Sequence, residues 1–248
     1  MKPQREILLK EKSLMNKVEQ LRERFRKNLR QTTEGSATIP WKDFSMELFQ
    51  FQARANPVYR KFVELMGVEP SAVKSIEEIP FLPVELYQKQ RISVFQNSAF
   101  DAHCFASSGT TGSSPSLHPV DDLDWYDEVA FEGFARLVVS WSQSPIFIGL
   151  LPGYLERNNS SLVHMVQSFM IKANQSNPED WFFLREFEAL EMELTRLHET
   201  GFPKDRPIYI IGVTHALLAW VERLKRNGQS PGWLGLSIYV IETGGMKG

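Results

Sequence analysis

Pro207-Ile208-Tyr209-Ile210-Ile211-Gly212, an amphipathic stretch over 214–227, and Leu236-Ser237-Ile238-Tyr239-Val240-Ile241-Glu242 together form the succession that decides the fold. The two apolar runs are too short for helices and rich in β-branched and aromatic residues, so they read as strands. A helix between two such strands lets them run parallel in one sheet. Working outward, the same alternation reaches back to Phe95. Further strands are expected at 102–106, 145–151 and 181–184, with helices near 122–140, 160–173 and 186–200. The expectation for residues 95–248 is therefore an α/β unit, a largely parallel sheet flanked by helices. Residues 1–94 read as a helical N-terminal region. Ile7, Leu8, Met15, Val18, Leu21, Phe25 and Leu29 recur at near-helical spacing among charges, predicting one long amphipathic helix over 4–30. A polar connector covers 31–40; Asp43 then starts a second helix to about Ala55, and Pro57 opens a third to about Gly67.

Composition excludes several classes of function. The chain has 248 residues, 42% of them apolar, and a net charge of −2. That suffices for one sizeable core and offers no general attraction to nucleic acid. The longest apolar runs fall well short of the ~20 residues that span a bilayer. The N-terminus lacks the apolar core of a secretory leader, which points to a cytoplasmic protein. Acidic residues interspersed along the first helix make it a solvated face rather than a membrane-binding one. A single cysteine, Cys104, rules out an intrachain disulfide and a cysteine zinc cage. Its place in the strand at 102–106 predicts a buried thiol that only packs.

The richest chemistry lies at Phe105-Ala106-Ser107-Ser108-Gly109-Thr110-Thr111-Gly112-Ser113. Ser107, Ser108, Thr110, Thr111 and Ser113 are small hydroxyl donors. Gly109 and Gly112 allow left-handed backbone, so that amide groups can turn inward as an anion nest. No lysine follows Gly112, which excludes the P-loop pattern, and the dinucleotide glycine fingerprint is absent. Two readings remain, a phosphate-binding loop or a flexible serine-glycine linker; the strand before the run and the helix after it favour the loop.

Other candidates flank the predicted strand ends, where ligands gather in α/β sheets. Tyr239-Val240-Ile241 reads as a buried strand, and Glu242-Thr243-Gly244-Gly245 follows it as a turn against which a planar ligand could lie, or as a plain strand ending. Arg157 in Leu151-Pro152-Gly153-Tyr154-Leu155-Glu156-Arg157 either pairs with an anion through its planar fork or is neutralised by Glu156. Ser160 and Ser161 read as helix caps. His118 is a candidate catalytic group that could bond a phosphate oxygen, or a solvated loop residue. The remaining histidines show no metal-binding spacing. Phe131, Phe134, Phe147 and Met165 could line an acyl tunnel, or be ordinary core.

Ser107-Ser108-Gly109-Thr110-Thr111-Gly112 resembles the phosphate-binding signature of the adenylate-forming superfamily. Ile79-Pro80-Phe81-Leu82-Pro83-Val84, the 107–116 run with His118, Tyr154-Leu155-Glu156-Arg157 with Asn159-Ser160-Ser161-Leu162, and Glu242-Thr243-Gly244-Gly245-Met246-Lys247-Gly248 are more narrowly similar to the acyl-protein synthetase family of that superfamily. The resemblance covers 79–248 and weakens back to about residue 45. It implies the N-terminal domain of an adenylate-forming enzyme. That domain would use ATP and Mg²⁺ to convert a fatty acid, long-chain in this family, into an acyl-adenylate and pass the acyl group to a protein or other thiol acceptor. It also implies that Gly244 and Gly245 help form the adenine and acyl pocket. The family continues beyond the equivalent of Gly248 with a Tyr-Gly-Met-Thr-Glu segment, a ribose-binding aspartate and a catalytic lysine. The expectation is thus an N-terminal portion of a larger ligase, weakly active or inactive by itself. The alternative is an inactive acyl- or nucleotide-binding module or partner subunit.

Overall fold

The structure, a computed structural model, describes residues 2–31, 41–97, 101–107, 114–138, 144–152, 158–203, 205–228 and 231–244. Two compact units divide the chain at Asp122 and Leu123. The strands of 103–120 therefore belong with the helical region, not with the parallel sheet, and the division lies downstream of the 94/95 boundary expected from sequence.

The first unit begins with α1 (Lys2–Gln31), α2 (Trp41–Ala55) and α3 (Pro57–Leu65). α1 docks by its apolar stripe: Leu21 is buried, and Phe25 meets Trp41 and Phe44 at ring distances of 5.3 and 6.0 Å. Lys17 and Arg24 reach Glu47 of α2 at 2.9 and 2.6 Å. Such exposed pairs each contribute less than about 1 kcal/mol, so the aromatic contacts carry the docking. α3 starts where its sequence says it should. Asn56 accepts a hydrogen bond from the Tyr59 amide, and Pro57 takes the first helical position, where no N–H is needed. Phe49, Ala53, Val63 and Val73 form the buried centre of this unit. Short 3₁₀ turns at Pro70–Ala72, Ile76–Glu78 and Val84–Gln88 lead to Arg91, whose guanidinium grips Asp101 at 2.7 and 2.5 Å and the Phe95 carbonyl at 3.1 Å. That fork ties Phe95 to Asp101, two residues before β1 (His103–Ala106), which pairs antiparallel with β2 (Leu117–Val120).

The second unit runs α4 (Leu123–Leu137), β3 (Ile146–Leu150), α5 (Ser161–Lys172), α6 (Phe187–Glu199), β4 (Ile208–Gly212), α7 (Thr214–Asn227) and β5 (Ile238–Glu242). The strands form a parallel sheet in the order β3-β4-β5, with Ile146, Ile208 and Ile238 in register. Strand alternation sorts the core into two layers. Ile146, Ile148, Leu150, Ile208 and Ile210 pack against Leu190, Leu194 and Trp220 of α6 and α7. Phe147, Leu151, Tyr209 and Ile211 pack on the other face with Val163, Val166 and Phe169 of α5 and Phe134 of α4. The α/β class expected from sequence holds, with the parallel sheet limited to three strands and the hairpin forming a separate sheet.

Three expectations need correction. Residues 181–184 do not form a strand: Pro178–Trp181 is a 3₁₀ turn, and Phe182 makes a lone bridge to Gly149. Cys104 is exposed, because a two-stranded hairpin buries one face and that face holds Phe105. Tyr239 and Val240 are each 54% exposed, since β5 is an edge strand.

Candidate functional site

The hydroxyl-glycine run grows from the end of the β1–β2 hairpin. Ladder pairing stops at Ala106 and Leu117, and serine chemistry continues it. The Ser107 amide donates to the Ser116 carbonyl at 2.9 Å, and the Ser116 amide donates to Ser107 Oγ at 2.9 Å. The Ser107 hydroxyl thus accepts one bond and keeps its own proton to give. These two bonds tie Ser107 and Ser116, at the ends of the run, together. Ser108, Gly109, Thr110, Thr111, Gly112 and Ser113 lie outside the described residues. No acidic residue occurs between Asp101 and Asp121, so the stretch offers donors and no carboxylate to repel an anion.

His118 sits on β2 opposite Phe105, one residue past the loop's return. It is not a solvated loop residue. Its ring stacks on Tyr87 at 4.5 Å with a 22° interplanar angle, and burial lowers its pKa below the ordinary 6.5. A neutral imidazole is favoured there, able to donate from one nitrogen and accept at the other. The unfolded chain holds the proton more tightly than the folded one, so stability rises with pH up to the ordinary value and levels off above it. His118→Gln is expected to flatten that rise. Thermal melts from pH 5 to 7.5 should show the wild type gaining more on raising pH than the variant; equal gains would remove His118 as the responsible group.

At the carboxyl end of the parallel sheet, Glu242 organises the last described turn. Its Oε1 accepts from the Thr214 hydroxyl and, at 2.7 Å, from the Gly244 amide. Thr214 is the first residue of α7, so the carboxylate lies where the helix dipole favours negative charge. Thr243 donates its amide and hydroxyl to the Gly212 carbonyl at 3.0 and 3.1 Å. Gly244 has φ +78°, a backbone that side-chain-bearing residues rarely adopt. Glu242, Thr243 and Gly244 are therefore held together with Gly212 and Thr214. Gly245 and Arg157 lie outside the described residues. Ser160 does cap a helix, accepting from the Val163 amide at 3.5 Å at the start of α5.

Sequence reading missed Gly212, Thr214 and Tyr87. The first two were accessible, standing where a buried strand passes into a helix. Tyr87 carries no such signal. Among the described residues no three acidic, histidine or cysteine side chains gather as a metal site, and no helix is long and apolar enough to cross a membrane. Mg²⁺ that travels with nucleotide phosphates keeps several waters and needs few protein ligands. No known family profile, curated protein or solved structure matches this chain.

Proposed function

We propose that this chain takes part in the ATP-dependent activation of a fatty acid as an acyl-adenylate, followed by transfer of the acyl group to a thiol, in the manner of the acyl-protein synthetases it resembles. The observation that carries the proposal is the closed base of the hydroxyl-glycine loop: Ser107 and Ser116 hold the ends of a run dense in hydroxyls and glycines and empty of acids. A triphosphate needs such an array of donors.

In this reading Ser107, Ser108, Thr110, Thr111 and Ser113 bind phosphate oxygens, with amides from Gly109 and Gly112 turned inward. Mg²⁺ bound with the nucleotide would supply charge neutralisation for the departing pyrophosphate. His118 donates a hydrogen bond to an anionic oxygen in this reading, its neutral ring adding no second charge. Within the second unit, the resemblance implies that Thr243, Gly244 and Gly245 present bare backbone to a planar ligand and that Arg157 pairs with an anion. The carboxylate oxygen of the acid attacks the α-phosphorus and pyrophosphate leaves. That step needs positioning and electrostatic stabilisation, not a protein nucleophile.

The test is exchange of labelled pyrophosphate into ATP in the presence of a fatty acid. Exchange that depends on the acid supports the ligase. ATP or acyl binding without exchange supports the binding module instead. Absence of all three overturns both.

A further inference from the structure

We infer that the cavity of about 470 Å³ within the first unit seats the aliphatic tail of the acid. The inference rests on the acyl-activating reading and adds to it a location for the tail. Sequence placed candidate tunnel residues in the second unit, at Phe131, Phe134, Phe147 and Met165. That space is filled: Phe147 is fully buried, and Phe134 meets Phe169, Phe147 and Tyr209 at ring distances of 4.8, 5.8 and 6.0 Å.

The first-unit cavity differs in kind. Leu48 and Phe49 of α2, Phe81 and Leu82 of the proline-rich turn, and Ile92 and Phe95 line it. Its volume lies within the range of about 300–1,000 Å³ common to small-molecule sites. Phe81 is 78% exposed and Leu48 37%, so an apolar guest would relieve water contact that the fold leaves in place.

Asn56 and Tyr59 in its wall are committed to the protein. Asn56 accepts from the Tyr59 amide and donates to Gln52, both at 3.3 Å, and the Tyr59 hydroxyl donates to the Pro80 carbonyl at 2.7 Å. The lining includes no lysine, arginine or histidine, and its one charged side chain, Asp121, is held by Arg22 at 2.8 Å. A buried anion would find no counter-charge, so a nucleotide or free phosphate is a poor occupant. An uncharged part of a ligand with apolar surface suits this lining best.

The hairpin forms part of the wall. Pro119 lines the cavity, and so does Tyr87, whose ring stacks on His118. A fatty acid with its tail inside can leave its carboxylate at the hairpin that bears the hydroxyl-glycine loop. Neither an aromatic acid nor a polar head group exploits an apolar volume of this kind as fully as an alkyl chain does.

Titration calorimetry of the chain with dodecanoate, below its micelle concentration and without nucleotide, tests the inference. Dodecanoate should bind, and benzoate at least about ten-fold more weakly, as loss of most of the buried alkyl area requires. Phe81→Asp and Leu48→Trp, both at exposed positions that leave circular dichroism unchanged, should each weaken dodecanoate about ten-fold or more and leave Mg-ATP binding unaltered. Failure of the wild type to bind dodecanoate, tighter binding of benzoate, or wild-type affinity in both variants would overturn it. Dodecanoate binding that the variants abolish, in a protein without pyrophosphate exchange, leaves the cavity assignment standing and removes the ligase. Exchange that is undisturbed in both variants does the reverse.

Discussion

Replacing Thr110 and Thr111 together by valine is expected to weaken Mg-ATP binding by roughly a hundred-fold or more. Each substitution keeps side-chain volume and deletes one hydroxyl donor, and a hydrogen bond to a charged group contributes about 1.5–3 kcal/mol. Two such losses exceed the 2.7 kcal/mol that corresponds to about a hundred-fold. Ser107→Ala should have a smaller effect of its own. It removes the oxygen that accepts from the Ser116 amide and so loosens the base of the loop while leaving the other hydroxyls in the chain. Calorimetry with Mg-ATP and competition by pyrophosphate give the measurement. Fluorescence melts report whether the hairpin survives, since its aromatic contacts, Tyr87 on His118 and His103 on Phe105, do not involve the replaced residues. Unchanged nucleotide affinity in the double variant, with the fold intact, would dismiss the loop as a phosphate site.

The three parallel strands and helices α4 to α7 are legible to within a few residues, because each carries a strong period of its own and α7 ends at a glycine with φ +65°. The hairpin is half legible. β1 stands out by its apolar residues, whereas β2, Leu117-His118-Pro119-Val120, is four residues long and contains a proline that cannot donate to a ladder. Without β2, β1 was grouped with the parallel sheet and Cys104 with its core. Exposure of Tyr239 and Val240 was illegible for a related reason: apolar residues in a run announce a strand, but not which edge a neighbour covers. At the candidate site, hydroxyl and glycine chemistry is visible in the bare sequence because composition alone signals it. The closing bonds of Ser107 and the stacking of Tyr87 on His118 come from residues distant in the chain, and local pattern does not encode them. The cavity beneath Phe81 is of the same type, assembled from helix, turn and hairpin.

Gly149→Ala and Gly212→Ala are expected to cause the largest losses of stability. These two glycines sit in neighbouring strands with their missing side chains on opposite faces of the sheet, and each makes room for one core layer. A β-carbon at Gly149 would stand 2.5 Å from Cδ1 of Phe182, whose segment is anchored by a bond from the Phe183 amide to the Gly149 carbonyl at 2.7 Å. A β-carbon at Gly212 would stand 2.8 Å from Cβ of Leu150, its direct partner across the ladder, and 3.1 Å from Cγ of Leu217. Neither neighbour is the free end of a long chain, so the backbone must give. Overpacking of this kind costs typically about 1–3 kcal/mol, and in a protein of this size each kcal/mol lowers the melting temperature by about 2–4 °C. Phe182→Leu should recover part of the loss in Gly149→Ala and none of it in Gly212→Ala, a contrast that a double-mutant cycle reads directly. Gly212→Ala carries a second consequence, because the Gly212 carbonyl receives both donors of Thr243. A shift of that carbonyl moves the turn at Glu242 to Gly244, so this variant should lower hydrogen-exchange protection of the Thr243 amide, which Gly149→Ala at equal loss of stability should not. Equal protection of that amide in the two variants would detach the turn from the end of β4.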